Sequence, residues 1–186
     1  MQTTRVLFMA ATVVVVTACS KNDQASSDTS GAASTNPPAS SQAASTPDRE
    51  FLTKMTDHHE GMVQMAEAAM SKASKPATQG DAHNLHTKQA AERDSMLAML
   101  RSSFSDSHTP AAMPENKAMM DSVNAKTGAA YDREFYAQTI KHHQEGIRMI
   151  DQYLPQLSDA KLKAMAEKMK ADQQKEIQQF EPKAKG

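Results

Sequence analysis

The chain has few of the residues on which several common functions depend. It contains one cysteine, no tryptophan and 4% aromatic residues among its 186 residues. A single cysteine excludes an internal disulfide, and scarce aromatic side chains leave little for sugars or nucleobases to stack on. The formal net charge is -1, and Lys and Arg are interspersed with Asp and Glu. Without a basic cluster, nucleic acid is not an expected partner.

Catalytic signatures are missing as well. The sequence has no Gly-rich phosphate loop, no GxSxG elbow and no CxxC pair. No Glu is followed three residues later by His, although a catalytic di-iron bundle needs that pair on two helices. We also find no nucleophile–base pair. The sequence therefore predicts a protein that is not an enzyme, and an unrecognised type of metalloenzyme is kept only as a third alternative.

The first 45 residues predict export and attachment to a membrane. Residues 1–18 are predicted to be a lipoprotein signal peptide, because the apolar run at 6–16 is too short to span a bilayer and small residues precede Cys19. Cys19 would be the lipidated first residue of the mature protein. Residues 19–45 are rich in Ser, Ala and Pro and predict a disordered tether. The expected location is the cell envelope, facing the periplasm from the inner or outer membrane.

The rest of the chain contains one helical hairpin twice. Asp48 to Phe51 and the pair at 58–59 reappear 84 residues later, and the same offset relates Met65 to Met149. Such a repeat predicts two copies of one supersecondary unit that bury their apolar faces against each other. We predict an all-α, four-helix bundle domain at 46–183, built from tandem hairpins at about 46–102 and 130–181. The connection at 103–129 is long enough for either crossing order, and a short helix is expected within it at 115–124.

Proline, glycine and capping residues place the four main helices. The first runs from an N-cap at Thr46 to about Ser71, and the second from between Ser74 and Asp81 to about Ser102. The third runs from about 130 to 154. The fourth begins after a turn with a new N-cap at Ser158 and is expected to stop at Pro182, near residue 180.

Polar residues stand at core spacing in both copies. Steps of three and four residues place a His-His pair on the inward face of each first helix, with one His of each pair pointing more directly inward and the other nearer the edge. The partner helices carry a Gln and a Glu on the same kind of seam. Burial of an unpaired carboxylate costs several kcal/mol, about 3–5, so the histidines are the expected partners. The residues concerned are His58, His59, His142, His143, Gln89, Glu92, Gln173 and Glu176.

Methionine is abundant, with 14 in the chain, of which only Met1 and Met9 precede the predicted mature start. A single Met is usually a flexible core filler. Here, however, Met55, His58, Met62 and Met65 follow one another along one face. Thioether and imidazole together suit Cu(I), and by extension Ag(I). We interpret Met55, His58, His59, Met62, Met65, His142, His143 and Met149 as candidate metal ligands, and Gln89, Glu92, Gln173 and Glu176 as side chains that orient them. His83 and His86 are expected at the surface, where their spacing would allow a weaker Cu(II) site.

The motif from Phe51 through Met55, His58-His59 and Met62 to Met65, followed by Gln89 and Glu92, resembles the domain of unknown function 305 family. The resemblance implies a ferritin-like bundle, often exported, with some members binding copper in the periplasm. It implies Met55, His58, His59, Met62 and Met65 as ligands. In the second copy Thr139 stands at the position of Met55 and Gly146 at that of Met62, which weakens the case for a second soft site.

The sequence thus predicts a lipid-anchored protein that binds copper, as Cu(I) or Cu(II), or silver, for copper buffering or resistance in the cell envelope. Its partners would be the metal ion, the membrane through Cys19, and a copper-handling envelope protein. The first copy is expected to hold the tighter site because it keeps more thioethers. The alternative is a lipoprotein adaptor that binds no metal and offers its Met-rich surface to another protein.

Overall fold

The computed structural model describes residues 46–186, which form five α-helices and no strand. They are α1 (Pro47–Lys72), α2 (Pro76–Phe104), α3 (Pro114–Asn124), α4 (Gly128–Tyr153) and α5 (Ala160–Lys185), with a 3-10 turn at Leu154–Gln156. The predicted all-α class and helical bundle are confirmed, with the short α3 in the connection. The signal peptide, Cys19 and the tether lie outside the described residues. No helix in residues 46–186 has an apolar stretch long enough to cross a membrane.

The helices begin where capping chemistry allows. Thr46 accepts a hydrogen bond from the Arg49 backbone N–H, with Pro47 in the first turn, as the sequence indicates. The N-cap of α5 is Asp159 rather than Ser158, and its carboxylate accepts from the Leu162 backbone N–H. Ser158 has another role, because its hydroxyl donates to Asp48.

The fourth main helix does not stop at Pro182, contrary to the sequence prediction. It continues to Lys185, two residues past the predicted domain boundary. Proline removes one backbone hydrogen bond and crowds the preceding turn, but tertiary contacts hold the last turn in place. Lys183 forms an ion pair with Asp81, and Ala184 packs against the core around Phe180.

The two hairpins pack with α1 antiparallel to both α2 and α4. The start of α1 lies beside the α4–α5 turn, because Asp48 accepts from Ser158, while the end of α1 lies beside the start of α4, because Asp132 accepts from Ser74. Lys88 links α2 to α5. Since α2 ends at the opposite end of the bundle from the start of α4, the connection between them runs along the bundle. It packs α3 against α1 and α4, an arrangement with one long crossover.

The repeat appears in the structure as an approximate two-fold axis. Asp48 accepts three hydrogen bonds, from the Ser158 hydroxyl and the backbone N–H groups of Ser158 and Asp159. Asp132, 84 residues later, accepts the equivalent three from Ser74 and Lys75. Each hairpin therefore ties down the turn of the other through a buried aspartate.

Two apolar clusters form the core, and a polar layer separates them. The lower cluster lies at the N-terminal end of α1 and includes Phe51, Leu52, Met55, Met96, Leu100, Ile150 and Leu162. The upper cluster includes Met62, Met65, Leu85, Met119, Phe135 and Phe180. The middle layer consists of buried His58, His59, Gln89, His142, His143 and Gln173. Burial of six polar side chains between apolar clusters is costly, and this layer is therefore the candidate site.

Candidate metal centre

Four imidazoles form a row across the middle of the bundle, here called the histidine row. The ring centroids are 6.1 Å apart between His59 and His58, 3.7 Å between His58 and His142, and 5.9 Å between His142 and His143. The α1–α4 contact thus brings the repeated pairs together. His58 and His142, the central pair, stack on each other at the two-fold axis.

Every histidine of the row is buried, with at most 1% of its surface exposed. The sequence predicted that one member of each pair would point more directly inward and the other would lie nearer the bundle edge. His58 and His142 do form the centre of the row, with His59 and His143 at its ends, but all four rings are equally buried. Helix α1 packs against both α2 and α4, so both of its seams are covered. In α4, the seam that contains His142 is the more deeply buried one, whereas Ile140 and Ile147 on its neighbour are half-buried.

The four histidines differ in their hydrogen bonds. The ring nitrogens of His59 lie 2.9 Å from the Met55 carbonyl and 3.1 Å from Glu92 Oε2, so both contact acceptors. His142 Nε2 lies 2.9 Å from the His58 carbonyl oxygen, to which it donates in the tautomer with a proton on Nε2, and its Nδ1 has no partner among the described residues. Neither ring nitrogen of His58 has a hydrogen bond within residues 46–186.

His143 resembles His142 in leaving Nδ1 without a partner in the described part of the chain. Its Nε2 lies 2.8 Å from Glu176 Oε2, although the ring and the carboxylate are poorly aligned for a hydrogen bond. A ring nitrogen held by a carbonyl or carboxylate, with the other nitrogen left free, is the usual state of a metal-binding histidine.

Burial keeps the central pair neutral. It lowers the pKa of His58 well below its usual value, and the neighbouring His59 and His143 lower it further. Burial has the same effect on the pKa of His142, followed by the effects of His58 and His143. A neutral imidazole carries the nitrogen lone pair that a metal ion needs.

Glu92 and Glu176 sit at the ends of the row, one in each hairpin, with 17% and 16% of their side chains exposed. Each lies beside the histidine partner that its position on the seam predicts. Burial acts to raise the pKa of Glu176, but His143 and Lys88 outweigh it, and this pKa lies below its usual value. The glutamate therefore remains an anion that can orient the ring.

Gln89 and Gln173 are the other repeated polar residues, and both are buried. Neither side-chain amide has a hydrogen-bond partner among residues 46–186. The Gln173 amide lies against Gly146, where a Cβ would be 2.7 Å from Gln173 Oε1 and 3.1 Å from His58 Cε1. Gly146 thus leaves the space that His58 and Gln173 occupy. Unsatisfied polar atoms on this scale are uncommon in native cores and point to a bound ion or water.

The candidate methionines are not brought together. Met55 packs in the lower cluster, while Met62 and Met65 pack in the upper cluster. Met149 is half-buried and borders a cleft of about 580 Å³ beside α3. His58 forms part of that cleft, together with Met113, Glu115 and Glu145. Sequence reasoning did not single out Met113 or Glu145 because neither belongs to a repeated His or Met position.

The histidines outside the repeat lie at the surface or in loops. His83 is exposed and His86 half-buried, both on α2. His108, in the connection, lies with Nε2 2.7 Å from Asp57 Oδ1, a pairing that no periodicity could have indicated. Within residues 46–186, no three side chains of His, Cys, Asp or Glu converge as a group that could hold a metal ion.

A comparison with known protein families identifies the family of the helical domain. Residues 48–183, and in a second overlapping match residues 9–100, fit the profile described as "Domain of unknown function (DUF305)". No curated protein matches the sequence.

Solved structures share the fold. A DUF305 protein from Streptomyces coelicolor, presented as a candidate secreted protein, is 19% identical with a TM-score of 0.66, covering 74% of this chain and 91% of its own. CopM in the Cu(I)-bound form is 27% identical with a TM-score of 0.63, and the match covers 73% of this chain and 93% of CopM. CopM in an Ag-bound form is 28% identical with a TM-score of 0.62, also covering 73% and 93%.

Proposed function

The chain belongs to the DUF305 family, and from this premise we propose that it binds copper as Cu(I), or Ag(I), within the histidine row. The observation that carries the proposal is a row of four buried imidazoles, of which three keep ring nitrogens without partners among the described residues. CopM, which shares the fold, is known in Cu(I)-bound and Ag-bound forms. The role is binding rather than catalysis.

The donor set suits a soft monovalent cation. Neutral imidazole nitrogens, with thioethers in the layers above and below, are ligands that Cu(I) accepts, whereas Mg²⁺ and Ca²⁺ prefer oxygen. A preformed site with three nitrogen or oxygen ligands, as zinc usually has, is not found in residues 46–186. Cu(I) accepts low coordination numbers, so two ring nitrogens can form the main part of its site.

The second histidine pair is the better prepared of the two. His142 and His143 each have one ring nitrogen beside an acceptor oxygen and Nδ1 free, whereas both nitrogens of His59 contact acceptors. His58 adds two free nitrogens from across the central stack. We therefore propose that two ring nitrogens drawn from His142, His143 and His58 are the principal ligands. This differs from the sequence expectation that the first copy holds the tighter site.

Copper buffering in the cell envelope follows from this binding when it is combined with the predicted export. A buried site removes Cu(I) from solution and shields it from oxidants. Lipidation of Cys19 would keep the protein at the membrane, where it would exchange copper with other envelope proteins. Mass spectrometry of the mature N-terminus and fractionation of a Cys19→Ala variant test the anchor. An unmodified Cys19, or a variant that stays with the membrane, would refute it.

The binding proposal is tested by Cu(I) competition with a chromogenic chelator under reducing, anaerobic conditions. The wild type should withdraw copper from the chelator. A His142→Ala/His143→Ala variant should bind at least about 100-fold more weakly, since loss of a supporting partner alone costs roughly 10–100-fold.

The matched control is His83→Ala/His86→Ala, which also removes two histidines from one helix but outside the row. It should bind Cu(I) like the wild type. If the wild type leaves the chelator's copper untouched, or if the control loses as much affinity as the row variant, the proposed site is wrong.

A further inference from the structure

The approximate two-fold axis creates two equivalent grooves between α1 and α4, and the crossover fills only one. The filled groove lies over Gly61, Met65 and Ala68, where α3 packs. Asn116 enters there because Gly61 has no side chain: a Cβ at Gly61 would lie 2.1 Å from Asn116 Nδ2. The equivalent positions 84 residues later are Glu145, Met149 and Gln152.

Those three residues line the open cleft described above. Met65 is buried with 3% of its surface exposed, whereas its counterpart Met149 is half-buried. The cleft reaches His58, while the groove on the other side of the axis is closed by α3. The symmetry of the histidine row is thus broken at its surface, and His58 is the member of the central pair that borders the cleft.

Two thioethers from different segments meet this cleft. Met149 comes from α4, one turn beyond Glu145. Met113 precedes α3, and its carbonyl accepts from the backbone N–H groups of Asn116 and Lys117. The Asn116 amide in turn donates to the His58 carbonyl at 3.1 Å, and the backbone N–H of Ala111 donates to Asp57. The segment that carries Met113 is therefore fixed to α1 on both sides.

Lys54 and Arg148 balance the two carboxylates of the cleft, so its attraction for a cation rests on one buried carboxylate oxygen. Glu145 and Glu115 both border the cleft, and Glu145 Oε2 is buried without a hydrogen bond to any described residue. Burial raises the pKa of Glu145, while Lys141 and Arg148 act in the opposite direction. A bound cation would satisfy this oxygen.

We propose that the cleft is a separate loading site, where Cu(I) is first held by the thioethers of Met113 and Met149 beside Glu145 and is then passed to His58. This inference rests on the proposed function of the histidine row. The transfer is an exchange of ligands at Cu(I) with no change in oxidation state. Thioethers exchange readily on soft metals, so the site would govern the rate of loading rather than the final affinity.

The test measures loading and affinity separately in a Met113→Leu/Met149→Leu variant. Leu is close to Met in volume and removes only the sulfur ligands. Anaerobic stopped-flow mixing with a Cu(I)–chelator complex gives the rate, and equilibrium competition gives the affinity and stoichiometry. Loading should slow about tenfold, within the one to three decades over which association rates vary among variants of one site, while the equilibrium affinity stays within about threefold.

The matched control is Met99→Leu/Met165→Leu, which changes two half-buried methionines packed on the lower cluster away from the cleft. It should load at the wild-type rate. Unchanged loading in the cleft variant overturns the inference while leaving the histidine site intact. Loss of bound copper at equilibrium also overturns it, because the two sulfurs would then belong to the final site. Failure of the wild type to bind would instead refute the proposed function itself.

Discussion

Replacement of His58 by Leu should stabilise the metal-free protein. His58 is 1% exposed and neither ring nitrogen has a hydrogen bond within residues 46–186. Each buried polar atom without a partner costs roughly 1–3 kcal/mol. Loss of the stack on His142 costs about 0.5–1.5 kcal/mol, and Leu fills a similar volume. At the lower end of these ranges, relief of two unpartnered nitrogens minus the lost stack should raise the free energy of unfolding by about 1.5 kcal/mol.

The assay is urea and thermal unfolding of metal-free protein followed by circular dichroism. About 1.5 kcal/mol corresponds to a rise in Tm of roughly 5 °C for a domain of this size, with an unchanged urea m-value. His142→Leu should gain less because it also removes the hydrogen bond to the His58 carbonyl. Both variants should bind Cu(I) more weakly. If His58→Leu lowers stability by about 1 kcal/mol or more, His58 is an ordinary structural core residue and the reasoning fails.

Four further predictions follow from the same structure. The metal-free protein should lose stability as the pH falls below about 6.5, because the pKa values of His58 and His142 are lowered in the folded state and the unfolded chain takes up protons first. In urea unfolding at several pH values, the free energy of unfolding should fall by up to roughly 3 kcal/mol per pH unit, and a value that stays constant between pH 7 and 5 would contradict this. Asp132→Ala should lower the free energy of unfolding by about 3 kcal/mol because it removes three acceptor contacts, and a loss under about 1 kcal/mol in urea unfolding would argue against the buried cap. Gly61→Ala should destabilise the protein because the new Cβ would clash with Asn116 of α3, whereas Gly80→Ala, with open space around it, should stabilise the protein by roughly 0.5–1 kcal/mol. If the two variants shift Tm by similar amounts, the tight contact between Gly61 and Asn116 is refuted. Glu92→Leu should leave the Tm of the metal-free protein unchanged or higher and weaken copper binding by roughly 10–100-fold. If copper raises the Tm of the variant and of the wild type equally, Glu92 has no part in copper binding.

Internal repetition explains why much of the fold could be predicted. The 84-residue offset indicates two packed hairpins, and the structure realises it down to the reciprocal contacts of Asp48 and Asp132. The same offset and the seam positions indicated that Glu92 and Glu176 would lie beside the repeated histidines. These features depend on periodicity along helices, which a sequence displays directly.

Features set by tertiary contacts could not be predicted in this way. The route of the crossover depends on Asn116 entering the gap at Gly61, and the continuation of α5 past Pro182 depends on the ion pair between Lys183 and Asp81. Spacing shows which helix face a residue shares but not which layer of the core it joins. Met55 and Met62 share a seam, yet seven residues separate them by roughly 10 Å along the helix, which places them in different clusters.

The central claim is that the histidine row holds copper, and anomalous diffraction from crystals loaded with Cu(I) or Ag(I) tests it most directly. The proposal predicts a strong anomalous peak in the middle layer, within bonding distance of ring nitrogens from His142, His143 or His58. Peaks confined to exposed positions such as His83, or a middle layer that remains without metal at full loading, would contradict it.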